Sequence, residues 1–231
     1  MMLHPSSLRV LIIGHGRMGQ AVERAAAAAG HQVVGCLGRA ELLLEAWPEA
    51  DVAVEFTLPG SALEVFAACR KRNLPLVSGT TGWEAHRAEV EQAVSTSGHA
   101  MLWASNFSVG VHLLRKAMAA VQSVMGSHDD YTPSIHEIHH VGKKDAPSGT
   151  AKTLKADLQS MGKSVPVTAE RIAGVPGVHH VEWKGPYDSI TLTHSAMGRE
   201  GFALGAVRAA EWLVSKPGPH DRIFGMEDVW G

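Results

Sequence analysis

A buried-strand pattern that ends in a glycine-rich turn constrains the fold of this chain more than any other feature. Residues 8–13 form a nearly continuous apolar run, as in a strand covered on both faces. The turn that follows is Gly14-His15-Gly16-Arg17-Met18-Gly19. Glycines at this spacing permit a tight turn, close backbone approach to a diphosphate and close packing of the next helix, whose N-terminus attracts anions. These six residues are therefore predicted to bind a dinucleotide, with a glycine-rich turn that holds no ligand as the alternative.

Apolar runs alternate with helix-forming segments along the first hundred residues. The strand candidates are residues 8–13, 32–37, 51–56, 74–78 and 101–104, and the helix candidates are 18–29, 41–47, 61–72 (with Ser61 as N-cap) and 84–95. This alternation favours a parallel sheet with right-handed crossovers. Beyond a boundary near Phe107 the candidates are a helix at 108–125, an extended segment at 131–140, a helix at 148–161, two or more strands within 171–195 and a helix at 202–214. The predicted fold class is α/β, with an N-terminal Rossmann-like parallel-sheet domain and an α+β domain that has a mixed or antiparallel sheet.

The composition excludes several classes of binding partner. Lysines and arginines number 21 against 23 aspartates and glutamates, so the formal charge of −2 provides no general attraction to nucleic acid or anionic membranes. Cys36 and Cys69 are the only cysteines, too few for a disulfide framework or a cysteine-based zinc module. Residues 1–7 lack a signal-peptide pattern, and no apolar run is long enough to span a bilayer. We therefore expect no nucleic-acid, membrane or metal partner, and a cytoplasmic location.

The loops after later strands carry further candidates, because ligands bind at the carboxyl ends of parallel strands. An acid about 20 residues beyond the glycines would normally bind the adenine ribose, but Gly38 and Arg39 stand there and Glu41 is placed at the start of a helix. Arg39 suits a 2′-phosphate, so we hypothesise that NADPH is accepted at least as well as NADH. Candidates for contact with a nicotinamide are Gly79, Thr80, Thr81, Ala104, Ser105, Asn106 and Phe107.

A histidine-rich segment offers two different chemistries, of which zinc hydrolysis is the first. Taken literally, His136-Glu137-Ile138-His139-His140 fits the metalloprotease signature H-E-x-x-H, which requires a helix so that two histidines share one face. Pro133 before the segment, Gly142 after it and a flanking period of two favour a strand instead. We keep the zinc hydrolase as a distant alternative.

A proton donor beside an anion site is the preferred interpretation of the same segment. His139 can act as a general acid near neutrality. Lys143 and Lys144 supply local positive charge in an otherwise neutral chain. The helix that begins at Ser148-Gly149-Thr150 can hold a carboxylate on its free N–H groups.

Together these motifs resemble one family, the 4-hydroxy-tetrahydrodipicolinate reductases (dihydrodipicolinate reductases) of bacterial lysine biosynthesis. The similar segments cover nearly the whole chain and are Gly16-Arg17-Met18-Gly19, Glu55-Phe56-Thr57, Gly79-Thr80-Thr81-Gly82, residues 104–110, residues 139–151, Arg199, residues 202–208 and residues 226–229. The stretch from His139 to Thr150 is far more specific than the glycine turn.

The resemblance implies a cofactor domain of residues 1–106, completed by residues 205–231, and a substrate-binding and oligomerisation domain of residues 107–204 that forms a homotetramer. It implies NAD(P)H-dependent reduction of a small dicarboxylate, 4-hydroxy-tetrahydrodipicolinate, to tetrahydrodipicolinate with loss of water, in lysine and diaminopimelate biosynthesis. His139 corresponds to the proton donor, and Lys143 to a second donor that also binds substrate. Further substrate-binding positions are His140, Gly149 and Thr150, and the cofactor contacts are residues 79–81 and 104–107.

Two other functions remain open from the residues alone. A different NAD(P)-dependent dehydrogenase of amino-acid metabolism would keep the glycine turn without needing residues 139–150. A non-catalytic cofactor sensor would bind NAD(P)H without needing His139 or Lys143.

Overall fold

The structure, a computed structural model, describes residues 7–125, 128–159 and 164–231. In chain order its strands and helices are β1 (Arg9–Ile13), α1 (Arg17–Ala28), β2 (Gln32–Leu37), β3 (Val52–Glu55), α2 (Pro59–Lys71), β4 (Leu76–Ser78), α3 (Arg87–Ser97), β5 (Met101–Trp103), α4 (Val109–Met125), β6 (Thr132–His139), α5 (Gly149–Gln159), β7 (Val167–Arg171), β8 (Gly177–Lys184), β9 (Ser189–Ala196), α6 (Glu200–Val214) and α7 (Met226–Trp230). They form two compact units, one of Met1–Phe107 with Arg199–Gly231 and the other of Ser108–Gly198. Within the described ranges, no helix is long and apolar enough to cross a membrane.

The first unit is built on a five-stranded parallel sheet in the order β2-β1-β3-β4-β5. Alternate residues of β1 enter two different cores. Val10 and Ile12 pack with buried residues of α1 and α6, whereas Leu11 and Ile13 pack with buried residues of α2 and α3. Because both faces of β1 are covered, its sequence is continuously apolar. The predicted Rossmann-like parallel sheet is confirmed.

Backbone segments approach closely where β1 and β3 lie side by side, which is the switch point of a doubly wound sheet. Gly14 follows β1 with φ +88°, and a Cβ built on it would lie 2.3 Å from the carbonyl oxygen of Phe56 after β3. A Cβ on Gly19 would lie 2.0 Å from the carbonyl oxygen of Gly14. Two of the three glycines are therefore required by backbone contact alone.

The second unit is a four-stranded mixed sheet in the order β7-β6-β8-β9, in which β6 and β7 are parallel and the other pairs antiparallel. Helices α4 and α5 cover one face. Their buried residues Met118 and Leu154 pack against Ile135 of β6 and Val181 of β8. This arrangement confirms the predicted α+β class and decides for a mixed sheet.

Some predicted elements differ from the structure. The helix expected at 41–47 is wrong, since only a 3₁₀ turn, Glu41–Leu43, forms, and the residue before Pro48 is disfavoured in a helix. Ser61 is not an N-cap, because α2 starts two residues earlier with Pro59 at its first position. The helix expected at 84–95 begins as a 3₁₀ turn, Glu84–His86, and continues as α3.

Parts of two other predictions fall outside the described residues, namely residues 1–6 of the N-terminal segment and residues 160–161 of the helix after Ser148. Strand β7 begins four residues before the segment in which strands were expected, and α7 was not expected from its own pattern.

Helix α6 returns to the first unit and packs on the backbone at the end of the loop after β5. A Cβ on Gly205, in the middle of α6, would lie 1.8 Å from the carbonyl oxygen of Phe107. Both residues thus belong to the first unit, whose boundaries lie at Phe107/Ser108 and Gly198/Arg199. The whole of α6 is included, whereas the sequence placed this boundary at residue 205.

We expect Gly205→Ala to lower the free energy of unfolding by about 1–3 kcal/mol, the usual cost of overpacking. Gly201→Ala is the matched control, because this glycine lies in the same helix with no atom within 4 Å of an added Cβ. That control is expected to be neutral or stabilising by up to about 1 kcal/mol, since alanine favours helix. Urea unfolding of both variants measures the difference, and equal stabilities would contradict the close contact.

Candidate functional site

The start of α1 has the properties of an anion site. Gly16 is the N-cap, no side chain caps the first turn and no acidic residue lies in it. The space around a Cβ on Gly16 is open within 4 Å. The His15 side chain, which is exposed, is held by Glu23 of α1, with Nε2 2.7 Å from Oε2. The free backbone N–H groups at the start of α1 therefore fit a diphosphate, which needs hydrogen-bond donors and no nearby acid in the first turn.

The remaining residues of the turn lie in different environments. Arg17 is exposed at the first position of α1, Met18 is half-buried against the core, and Gly19 is buried. Of these three residues, only Arg17 is exposed.

A buried carboxylate ties together the loops after β3 and β4. Glu55, the last residue of β3, has no exposed surface. Its Oε2 accepts a hydrogen bond from the Ser78 hydroxyl at 2.6 Å, and its Oε1 accepts one from the Thr57 amide at 2.7 Å. The hydroxyls of Thr57 and Thr80 also donate to Oε1. The two loops consequently have one fixed arrangement.

The other cofactor candidates lie at the same edge of the sheet, because they follow parallel strands. Gly79 is packed so tightly on Phe56 that an added Cβ would lie 2.0 Å from the phenyl ring. Phe56 also meets Phe107 edge to face, with ring centroids 5.7 Å apart. Thr80, Ala104 and Phe107 are buried, Asn106 is half-buried, and Thr81 and Ser105 are exposed.

The end of β2 carries a basic and an acidic side chain. Arg39 is exposed, two residues beyond the strand. Glu41 starts the 3₁₀ turn, and its Oε2 accepts a hydrogen bond from the Gly38 amide at 2.9 Å. An acid therefore does lie at the end of β2. Glu41 was expected to open a helix, and it does start the 3₁₀ turn, but its carboxylate also accepts from the end of β2.

In the second unit, β6 places alternate side chains on opposite faces of the sheet. Glu137 and His139 are buried on the face that the helices cover, whereas His136 is half-buried on the other. Antiparallel pairing sets Glu137 opposite His179 of β8, and His179 opposite His194 of β9. The pattern H-E-x-x-H therefore lies on a strand and not on a helix, which removes the zinc hydrolase alternative.

The carboxylate of Glu137 is the centre of this buried cluster. Its Oε2 lies 3.6 Å from Nδ1 of His139 and 3.7 Å from Nε2 of His179. Its Oε1 lies 3.6 Å from Nη2 of Arg171. The backbone amide of Ser148, immediately before α5, donates to both oxygens at 3.0 and 3.2 Å. The ligand atoms of Glu137, His139 and His179 lie within 4.8 Å of one another, a spacing that a metal ion could use. The Ser148 amide and the nearby guanidinium already compensate the carboxylate without one.

A second carboxylate, that of Asp145, contacts two of the groups expected to bind substrate, Lys143 and Gly149. Lys143 Nζ is 2.8 Å from Oδ1 of Asp145, and the amide of Gly149, the first residue of α5, also donates to Asp145. Burial would raise the pKa of Asp145, but the contacts with Lys143 and Gly149 hold it below its ordinary value. Arg171 fixes the loop by donating to the carbonyls of Lys143 and Asp145 at 3.3 and 2.6 Å.

The remaining candidates border these groups. Thr150, the second residue of α5, and His140, just after β6, are half-buried, and Lys144 is exposed. Two partners of this cluster, Glu137 and Arg171, were not predicted to act with His139. His179 was named from the sequence only as a residue that joins or lines the site, and the structure places it beside Glu137. The period of two along β6 could have indicated Glu137, but nothing local indicated Arg171.

Burial lowers the pKa values of the histidines in this cluster. The pKa of His139 is lowered by burial and by the charges of Lys143 and Arg171, and Glu137 opposes this shift. The pKa of His179 falls to about 4, chiefly through burial, and burial also lowers that of His194. Nδ1 of each of these three histidines is buried and has no hydrogen-bond partner among the described residues.

Fold and side chains together define a class of protein, a two-unit α/β oxidoreductase with a glycine turn suited to a dinucleotide in one unit and a cluster of buried acid and imidazole groups in the other. The family described as "Dihydrodipicolinate reductase, N-terminus" matches residues 8–107, and "Dihydrodipicolinate reductase, C-terminus" matches residues 110–230. This chain belongs to the dihydrodipicolinate reductase family.

Curated relatives agree with this assignment. A 4-hydroxy-tetrahydrodipicolinate reductase of Christiangramia forsetii is 36% identical over 96% of this chain and 97% of its own. Another, of Xanthomonas euvesicatoria, is 39% identical over 94% of this chain and 97% of its own. The resemblance found in the sequence is thereby confirmed.

Solved structures share the fold. A dipicolinate-bound dihydrodipicolinate reductase from Paenisporosarcina aligns over 96% of this chain and 99% of its own, with a TM-score of 0.74 and 21% identity. An amine dehydrogenase from Mycobacterium smegmatis aligns over 97% of this chain and 96% of its own, with a TM-score of 0.66 and 14% identity. Family and fold indicate an oxidoreductase with a nicotinamide cofactor and a small-molecule substrate.

We expect acid to destabilise the protein through His179. Its folded-state pKa of about 4 lies below the ordinary 6.5, so the unfolded chain binds this proton first and stability is lost as the pH falls from about 6.5 to about 4. The full effect is about 3 kcal/mol at about 1.4 kcal/mol per pKa unit. Urea unfolding at pH 7 and pH 4 measures it. In His179→Gln the loss should shrink by that amount, and an unchanged loss would refute the assignment.

Proposed function

We propose that this chain reduces 4-hydroxy-tetrahydrodipicolinate to tetrahydrodipicolinate, with loss of water, as a step of lysine and diaminopimelate biosynthesis. One observation carries the proposal beyond family membership. Within one unit, a buried imidazole, a lysine ammonium and the N-terminus of α5 lie around a single loop. A proton donor next to a double anion site suits a small dicarboxylate substrate.

The bound nicotinamide cofactor supplies the hydride. The substrate hydroxyl leaves as water together with a proton from the neighbouring ring carbon, and His139 donates the proton that balances the hydride. Lys143 binds a substrate carboxylate and stabilises charge, together with His140 and the amides of Gly149 and Thr150. A substrate carboxylate would replace the Asp145 carboxylate on Lys143 and Gly149, so these groups keep an anionic partner before and after binding.

The first unit holds the cofactor in this proposal. The amides of the glycine turn and of the start of α1 would hold the pyrophosphate, and the loops of residues 79–81 and 104–107 would hold the nicotinamide. Glu55 accepts from Thr80 of the first loop and so holds that loop in place. In the second loop, Phe107 packs on Phe56, which follows β3.

The homotetramer and the cytoplasmic location stay predictions. Support for a multimer comes from the face of the second sheet that α4 and α5 leave open. His136 and His180 stack there, with ring centroids 6.0 Å apart, and alternate residues of β9 such as Thr193 are exposed. A second copy of the sheet could cover this face.

We expect His139→Ala and Lys143→Ala to retain cofactor affinity and to lose at least about 100-fold in kcat, since positioned acids and charge stabilisers contribute that much. The assay follows cofactor absorbance with enzymatically generated substrate. His136→Ala, on the opposite face of the same strand, is the control and should retain activity. Full activity in both site variants would overturn the assignment, and a cofactor sensor would show no turnover even in the wild type.

Cofactor preference tests the role of Arg39. If its guanidinium binds a 2′-phosphate, Arg39→Ala should lower kcat/KM for NADPH about tenfold and leave that for NADH unchanged. Arg24→Ala is the control, because Arg24 is an exposed arginine of α1 outside the loops at the edge of the sheet. A strong preference of the wild type for NADH would refute the hypothesis.

A further inference from the structure

We propose that Glu137 is a positioning residue for the reaction: its buried carboxylate, which lies 3.6 Å from Nδ1 of His139 and accepts from the Ser148 amide, keeps that imidazole and the N-terminus of α5 in one arrangement. The inference deepens the proposed function and rests on it for the role of His139. Glu137 has no exposed surface, so it cannot touch a substrate itself. Its effect must pass through the groups around it.

The orientation of the His139 ring supports this role. Nδ1 faces Oε2 of Glu137 at 3.6 Å. Nε2 lies over Gly177 of β8, where an added Cβ would approach to 3.1 Å. One ring nitrogen is therefore directed to the carboxylate, and the other lies beside a residue that has no side chain to block it. This arrangement is the one a general acid needs when its second nitrogen must meet a ligand.

Among the charged groups around His139, Glu137 is the one that most favours its protonated form. The groups that act on it are Glu137 on its own strand, Lys143 and Asp145 in the following loop, Arg171 on β7 and His179 on β8, behind which His194 lies on β9. Burial, Lys143 and Arg171 all oppose a proton on His139, and of the two carboxylates that favour it Glu137 has the larger effect. Without Glu137, the buried imidazole would therefore lose its proton at lower pH.

Arg171 does not cancel this effect. Its guanidinium lies on the Oε1 side of Glu137, whereas both imidazoles lie on the Oε2 side. Its nitrogens donate to three backbone carbonyls, those of Lys143, Glu170 and Asp145. Arg171 therefore does not come between the Glu137 carboxylate and the two imidazoles.

The same carboxylate fixes the anion site. The Ser148 amide donates to both of its oxygens, and Gly149 begins α5 at the next residue. Because one side chain contacts both the proton donor and the start of the helix, it sets the distance between them. A shift of about 1 Å between such groups can cost about 100-fold in rate.

Glu137→Gln separates charge from position, because the glutamine oxygen can still accept from Ser148. We expect kcat to fall about tenfold or more at neutral pH with little change in KM. The pH at which kcat/KM falls should move to lower values, since His139 must be protonated. Glu137→Ala also removes the tether to α5 and should raise KM in addition. Glu170→Gln is the matched control, because Glu170 lies 3.6 Å from His136 on the other face of the sheet.

A readout without turnover separates this proposal from the proposed function. NMR of protein with ¹³C-labelled histidine, in which the His139 signal is the one absent from His139→Gln, follows the titration of that imidazole directly. We expect its pKa to be lower in Glu137→Gln than in wild type and unchanged in Glu170→Gln. An unchanged His139 titration in folded Glu137→Gln would overturn the proposal. If the His139 pKa shifts in Glu137→Gln but the wild-type protein has no reductase activity, the proposed function is overturned and the role of Glu137 stands.

Discussion

Each unit of this protein is organised around one carboxylate that is shielded from water. Glu55 and Glu137 have no exposed surface, and a carboxyl group in such a place is tolerated only when protein donors satisfy it. Glu55 binds hydroxyls and an amide from the loops after β3 and β4. Glu137 binds the amide before α5 and lies beside two imidazoles and a guanidinium. Hydrogen bonds to strand ends therefore hold the loops after β3, β4 and β6, and apolar contacts such as that of Phe107 with Phe56 add to them.

The alternation of side chains along β6 and β8 puts histidines that are close in the sequence, His136 with His139 and His179 with His180, on opposite faces of the sheet. His136 and His180 stack on one face and donate to or accept from threonine hydroxyls, at 2.8 Å from Thr168 and 2.9 Å from Thr193. His139 and His179 meet on the covered face, where burial lowers their pKa values. Neighbouring histidines thus differ in chemistry because a strand alternates its faces.

Local patterns predicted much of the fold. The apolar run before Gly14 indicated β1, the glycine spacing indicated the start of α1, and Pro133 with a period of two indicated that β6 is a strand. These predictions held because turn chemistry and periodicity are properties of short segments. Predictions failed where a residue outside the pattern determined the local structure, as Pro48 did for the helix expected at 41–47. Gly205 is a similar case, because only the packed structure shows its contact with Phe107.

The sequence by itself determined the succession of strands and helices, the glycine turn and the family to which residues 139–150 point, because each depends on residues close together in the chain. Only the tertiary structure decided that Glu137 faces His139 and His179, and that Arg171 lies on its other side. The reason is the register of β6 with its two neighbours, which pairs Glu137 with Ala169 and His179. No local pattern encodes that register, because it results from the simultaneous packing of two helices on one face of the whole sheet.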